Sequence, residues 1–309
     1  NLPHLNLFFE DLRSKDYSDE TLYNYERDLL TFAQFIRNRG ISFGEVSRST
    51  IEIYQEHLKS TDRRTAKDAR SEQQLSVGSI NRTLSSLRRY LKYLIEIDGK
   101  SPVSPEAIRL LKMPHPHSRV AELDALIELI ESPTKFEKTK DLKLRNRAIL
   151  ETLFSTGMRI SELVSLNRNQ IDKTGRIFIR GKGKKERFVY LTDRAYEHIK
   201  SYLAIRTDEY TALFIPYRGR NVNKTTSRIS PNYVQMKMKQ YQERLGINVP
   251  TTPHSLRHGF ATYLAEQGAN PAAIQILLGH ESLQTTTRYV HASDTYAEKT
   301  HKEFHPLKK

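Results

Sequence analysis

The sequence predicts a mainly α-helical protein of two domains carrying one small β-hairpin. Three observations carry that prediction. The chain has 309 residues, about two domains' worth. Apolar side chains recur at helical spacing through most of it. Pro and His crowd Met113-Pro-His-Pro-His-Ser118, where proline's missing donor and its effect on the preceding residue favour a linker. The division is 1–112, a helical domain; 113–120, the linker; and 121–309, a larger domain.

In the first domain Ser18 is placed to cap a helix on which Leu22, Tyr25, Leu29, Phe32, Phe35 and Ile36 share a face, with Gly40 ending it. Ser49 is the expected cap of a second helix through Leu58. Ser60–Gln74 is polar and charged, a connection. A further helix is expected from Ser79 to Ile97. Its apolar stripe is Ile80, Leu84, Leu87, Leu91 and Leu94, and Asn81, Arg82, Arg88, Arg89 and Lys92 form a cationic face. That face suits a DNA groove or plain solvent equally.

The second domain resumes with helices near Ala121–Glu131 and Leu144–Ser155, the latter stopped by Gly157. The β-like runs Arg176–Arg180 and Glu186–Leu191 flank Gly181-Lys-Gly-Lys-Lys185 and read as a hairpin. Helices follow at Asp193–Arg206, Asn232–Leu245, His254–Gln267 and Pro271–Leu278, the last opened by Asn270-Pro271.

Charge narrows the function. Lys and Arg number 50 against 36 Asp and Glu, a net charge of +14. Residues 1–118 contribute +2 of it and residues 119–309 contribute +12. A basic excess gathered in one half suits a polyanion, nucleic acid before membrane. Cysteine is absent, which excludes a disulfide framework, Cys-bound zinc and a thiol nucleophile. No apolar run approaches the roughly 18–20 residues of a membrane span. No signal peptide is expected from the opening residues. A cytoplasmic, nucleoid-associated protein is expected.

Six positions carry candidate chemistry. In His254-Ser-Leu-Arg257 an imidazole and a guanidinium share one helix face, expected to point outward beside a helix N-terminus that favours an anion. An arginine grips two phosphate oxygens at once. In Thr156-Gly-Met-Arg159-Ile-Ser-Glu162, an arginine begins a helix and Glu162 is placed to hold a neighbouring cation. Lys182 sits between glycines at the hairpin tip, where a cation-rich site lowers a lysine toward proton donation. Gly-Lys-Gly lacks P-loop spacing, which excludes nucleotide hydrolysis. His280 follows a glycine cap, and Tyr289 follows it within Thr285-Thr-Thr-Arg-Tyr289-Val-His291. Tyrosine needs nearby cations and a proton acceptor to act as a nucleophile.

Taken together, Arg159, Lys182, His254-x-x-Arg257, His280 and Tyr289 resemble the tyrosine recombinase (integrase) family in order and approximate spacing. The surrounding phrases match too: Thr-Gly-Met-Arg-Ile-Ser-Glu-Leu, Gly-Lys-Gly-Lys-Lys-Glu-Arg, His-Ser-Leu-Arg-His-Gly-Phe-Ala-Thr and Leu-Leu-Gly-His-Glu-Ser-Leu-Gln-Thr-Thr. In the first domain, Thr21-Leu-x-x-Tyr25-x-x-Asp28-Leu and Ser79-Ile-Asn-Arg-x-Leu-Ser-Ser-Leu-Arg look like the family's core-binding domain, so the likeness spans nearly the whole chain. With no arm-binding domain ahead of it, the chain looks like the compact Xer type. It departs from that type in the long, charged Ser60–Gln74 segment, in its Pro-His linker, and in Arg288, an extra cation beside the nucleophile.

The resemblance implies a core-binding domain plus an α+β catalytic domain, closing as a C-shaped clamp around DNA. It implies that Tyr289 attacks a phosphodiester to form a 3′-phosphotyrosyl link and release a 5′-hydroxyl, without ATP, metal or other cofactor. Arg159 and Arg257 neutralise the transition state and His280 adds a hydrogen bond. His254 assists the tyrosine, Lys182 protonates the leaving oxygen and Glu162 supports the site. Arg82, Arg88, Arg89, Lys92 and Arg288 become DNA-contact candidates. The implied partners are double-stranded DNA with a roughly palindromic site, a homotetramer or a heterotetramer with a paralogue on two such sites, and an accessory activating protein. A C-terminal tail at about 292–309 is expected to dock on a neighbouring protomer, with Ser293–Phe304 long enough for a helix. The biological roles implied are chromosome or plasmid dimer resolution, or mobile-element integration and excision. The alternatives are a type IB topoisomerase-like relaxing enzyme and a non-catalytic DNA-binding regulator on the same fold. A relaxase-like nuclease lacks its metal-binding histidine cluster here.

Overall fold

The computed structural model describes residues 2–60, 75–113, 121–180, 186–219, 222 and 227–279. The chain separates into two units, Asn1–His117 and Ser118–Lys309. No described helix is long and apolar enough to cross a membrane.

Four helices build the first unit: α1 (Leu5–Ser14), α2 (Asp19–Asn38), α3 (Arg48–Lys59) and α4 (Val77–Asp98). As predicted, the Ser18 hydroxyl accepts the Thr21 N–H at the start of α2. Ser47 rather than Ser49 caps α3, and Ser76 caps α4, which therefore starts ahead of Ser79. The sequence reading passed over α1, because its N-cap His4 sits at φ +52° and offers no side-chain cap. Apolar burial holds it instead. Phe8 is fully buried, edge-on to Tyr90 with ring centroids 5.4 Å apart.

The polar residues of α4 have specific work within this unit. Asp28 on α2 is buried and takes bonds from Arg82 (2.6 Å), Ser86 (2.9 Å) and Thr83 (3.3 Å). Asn81 exchanges two bonds with the Leu111 backbone at 2.8 and 2.7 Å. Arg88 donates to the Ile108 carbonyl, and Gln55 of α3 to the Arg109 carbonyl at 2.7 Å. The segment after α4 is thereby strapped back across α3 and α4. Arg89 is paired with Glu96 and Asp11. Lys92 stays exposed, 3.9 Å from Glu106.

The second unit is organised round α6 (Lys140–Thr156), which is buried on nearly all sides from Arg145 to Leu153. Against it pack α5 (Leu123–Phe136), α8 (Asp193–Leu203) and α10 (Pro253–Glu266). Arg147 pairs with Glu131 and Glu151, and Glu151 also with Arg194, while buried Arg145 donates to Asn146, the Ile215 carbonyl and the Tyr233 hydroxyl. The short α7 (Ile160–Ser165) follows. Strands β1 (Arg176–Arg180) and β2 (Glu186–Tyr190) form the predicted antiparallel hairpin, with Phe178 opposite Phe188. Helices α9 (Pro231–Leu245) and α11 (Pro271–Leu278) complete the described unit, and Asn270 caps α11. Helix α5 runs on past Glu131 through Pro133, and α6 begins a turn before Leu144.

Gly157 fixes the junction that matters for the site. It ends α6 at φ +60°, and a Cβ there would stand 2.4 Å from the Phe260 ring of α10. Only glycine fits both the backbone and the contact. Arg159 and α10 are thereby brought together.

Candidate active site

Arg159 is the N-cap of α7, with an extended backbone rather than a first-turn helical one. Glu162, at the third helical position, accepts the Arg159 N–H at 2.7 Å and its Nη1 at 3.1 Å. Glu162 is 5% exposed, so the carboxylate expected to hold a neighbouring cation is a buried one. Burial alone raises its pKa. Hydrogen bonds from Arg187 and from the Arg159 backbone, with the charges of both arginines, outweigh that and hold it below the ordinary 4.5.

Arg187 closes the phrase Gly-Lys-Gly-Lys-Lys-Glu-Arg, yet the sequence assigned it no role. It lies on β2, where Arg187 and Val189 face inward while Glu186, Phe188 and Tyr190 face out. Its Nη1 and Nη2 donate to Glu162 Oε1 and Oε2 at 2.9 and 2.8 Å, a two-pronged buried pair. Its Nε donates to the Leu277 carbonyl at 2.8 Å. The signal was present in the alternation: a residue in phase with Val189 on a strand must face the same side.

Arg257 corrects an expectation. The sequence placed it outward, yet it is 4% exposed. Its Nη1 donates to the Gly157 carbonyl at 2.7 Å and its Nη2 to the Leu278 carbonyl at 2.6 Å. The helix wheel of α10 is blind to these acceptors, which come from elements distant in sequence. His254, by contrast, is exposed. Desolvation by its neighbours, then the charges of Arg257, His258 and Arg159, keep its pKa below the ordinary 6.5. It is neutral at pH 7 and free to accept a proton.

The cluster thus closes on the C-terminus of α11. Arg187, Arg257 and Arg159 donate to the consecutive carbonyls of Leu277, Leu278 and Gly279, the last at 3.3 Å. A helix C-terminus carries partial negative charge, which suits cations there. Gly279 is left-handed at φ +62°, and a Cβ on it would stand 3.0 Å from Arg187 Nη1. Counting Arg159, Arg187, Arg257 and Glu162 alone, the charge is +2, and Arg159 keeps 37% of its side chain exposed. That is a platform for a phosphodiester.

Lys182, His280, Arg288, Tyr289 and the tail at about 292–309 lie outside the described residues. Of the first-unit candidates, Arg82, Arg88 and Arg89 are engaged within their own unit, and Lys92 is exposed. Among the described residues no group of three or more His, Asp or Glu is arranged to hold a metal ion. A cavity of about 340 Å³ lined by Arg145, Tyr217, Arg228, Tyr233 and Lys237 shares no lining residue with the arginine cluster.

Comparison with known proteins follows the same lines. A profile described as the phage integrase family matches residues 119–295, and one described as the phage integrase N-terminal SAM-like domain matches residues 5–97. The tyrosine recombinase XerD of Shewanella oneidensis is 31% identical over 98% of this chain and 97% of its own. The tyrosine recombinase XerC of Thermodesulfovibrio yellowstonii is 37% identical over 75% of this chain and 77% of its own. Among solved structures, the XerH site-specific recombinase bound to difH substrate in a pre-cleavage complex has a TM-score of 0.67 at 24% identity, covering 90% of this chain and 78% of that one. The Tn1549 transposon integrase in complex with circular intermediate DNA has a TM-score of 0.70 at 20% identity, covering 95% of this chain and 97% of that one. These two likenesses bear on the fold alone.

Proposed function

The chain belongs to the phage integrase family and is a tyrosine-type site-specific DNA recombinase; from that premise we propose how its residues divide the reaction. Tyr289 attacks the scissile phosphorus. The new bond joins its phenolic oxygen to phosphorus, the bond to the 5′-oxygen breaks, and a 3′-phosphotyrosyl link remains. His254 takes the phenolic proton, and Lys182 supplies one to the departing 5′-oxygen. Arg159 and Arg257 neutralise the non-bridging oxygens as charge develops, and His280 adds a hydrogen bond. Glu162 fixes Arg159. The 5′-hydroxyl of a partner strand then attacks the link, so joining needs no ATP.

One observation carries this assignment. Arg159 and Arg257 come from separate elements, yet both donate to the last carbonyls of the helix that immediately precedes His280. The meeting of Arg159 and Arg257 at these carbonyls supports their acting together on one phosphate.

The substrate proposed is duplex DNA with a roughly palindromic site. Two such sites are held by four protomers, either identical or paired with a paralogue, with an accessory activating protein and with the tail after residue 292 docked on a neighbour. Lys92, Arg288, Arg82, Arg88 and Arg89 are the backbone-contact candidates. The test is trapping on a nicked suicide duplex whose site is recovered by selection from randomised DNA. The adduct is expected on Tyr289 at the 3′ side of the nick-proximal phosphate, and Tyr289→Phe abolishes it. Lys182→Ala is rescued by a bridging phosphorothiolate leaving group, and Arg257→Ala is not. An adduct on another residue contradicts the reading.

A further inference from the structure

We infer that Arg187 is a positioning residue for strand cleavage, joining the hairpin, the Arg159 cap and the end of α11 into one rigid unit. The inference rests on the recombinase reading and adds to it a residue that reading does not use.

The geometry is specific. Through Nη1 and Nη2, Arg187 takes both oxygens of Glu162 at 2.9 and 2.8 Å. The same carboxylate holds Arg159 by its backbone N–H at 2.7 Å and its Nη1 at 3.1 Å. The third edge of the Arg187 guanidinium, Nε, holds the Leu277 carbonyl at 2.8 Å. All three elements meet on one planar side chain that is itself buried. Gly279 suits this arrangement, since its backbone is left-handed at φ +62° and a Cβ there would crowd the guanidinium at 3.0 Å.

What each element carries makes the junction consequential. Strand β2 resumes the chain directly after residues 181–185, which include Lys182. Glu162 aims Arg159, and α11 ends at Leu278, two residues before His280. Arg187 thus ties together the carboxylate that holds Arg159 and two elements that border Lys182 and His280 in the chain, while Arg187 itself donates to protein acceptors on every edge. A lysine offers a point charge with no fork, so it preserves the charge at this position and loses the three-way geometry.

The test uses the full chain and the suicide duplex described above. Arg187→Lys is expected to lower single-turnover cleavage at saturating DNA by about 100-fold, the size of a roughly 1 Å misplacement, with the duplex Kd changed by no more than about threefold. Arg187→Ala combined with Glu162→Gln, which leaves no unpaired buried carboxylate, is expected to be no slower than the slower single variant by more than about threefold, because both act on one unit. Methylguanidinium at millimolar concentration is expected to restore cleavage to Arg187→Ala. Arg187→Lys cleaving within about twofold of the parent, losses that multiply in the double variant, or a cleavage defect matched by equal loss of duplex affinity or by melting below the assay temperature each overturn the inference. Tyr289→Phe separates the two claims. An adduct that survives it sinks the recombinase reading, whereas a Tyr289 adduct with unimpaired Arg187 variants sinks this inference alone.

Discussion

In the first unit Arg82 faces a buried aspartate, Arg88 a backbone carbonyl and Arg89 two acidic side chains. In the second, Arg159, Arg187 and Arg257 gather round one buried glutamate and three consecutive carbonyls. Both sets include arginines set in motif phrases, and both use backbone oxygens. They differ in local charge balance. The first set is matched by acids on its own unit and holds a domain together; the second keeps a surplus, with the partly exposed Arg159 among it and a neutral histidine beside it. Motif arginines therefore need an accounting of partners before a role is assigned.

The largest expected effect lies in the second set. Arg257→Lys should lower suicide-duplex cleavage by about a thousandfold, the loss of one preorganised transition-state donor, while the corresponding change at Arg82 leaves cleavage within about threefold. A large cleavage loss at Arg82 would break the contrast between the units.

His254 offers the next. Its pKa is held below 6.5 by desolvation and by the neighbouring cations, so the neutral, proton-accepting form persists into mild acid. In kcat/KM, which reports the free enzyme, the acid limb should lie below 6.5, and His254→Ala should remove that limb with about a hundredfold loss at the plateau. Glu162 keeps this limb distinct from unfolding. Its folded pKa is depressed, so its contribution is complete above 4.5 and is lost only as pH falls through the lower folded value. An acid limb that coincides with the loss of tertiary structure would contradict the assignment.

Smaller effects fall to the first unit. Arg82→Ala should cost about 1–2 kcal/mol in denaturant unfolding of that unit, since it withdraws one of three donors from buried Asp28. Lys92→Ala should leave stability unchanged and reduce the salt slope of DNA affinity by about 1. Stability lost at Lys92 in place of Arg82 would invert the comparison.

Much of this was legible in the sequence, and the exceptions have physical reasons. Ser18, Asn270 and Gly157 mark helix ends because capping is chemistry between near neighbours. Helix α1 escaped because His4 offers no cap and the burial of Phe8 is a tertiary fact. Arg159 and Arg257 stood out through the phrases around them, but the burial of Arg257 depends on the Gly157 and Leu278 carbonyls, which no helical wheel contains. Arg187 was hidden among lysines at the hairpin, though its inward phase with Val189 was readable. Asn81 and Arg88 looked like a groove-facing stripe because their acceptors lie on a returning segment about twenty to thirty residues away.

The most direct measurement is a crystal structure of the covalent complex trapped on the suicide duplex. The account predicts a phosphotyrosyl bond at Tyr289, with the non-bridging oxygens within hydrogen-bond distance of Arg159 and Arg257 and with Arg187 still forked on Glu162. A trapped phosphate seated away from that pair, or attached through a different side chain, would contradict it.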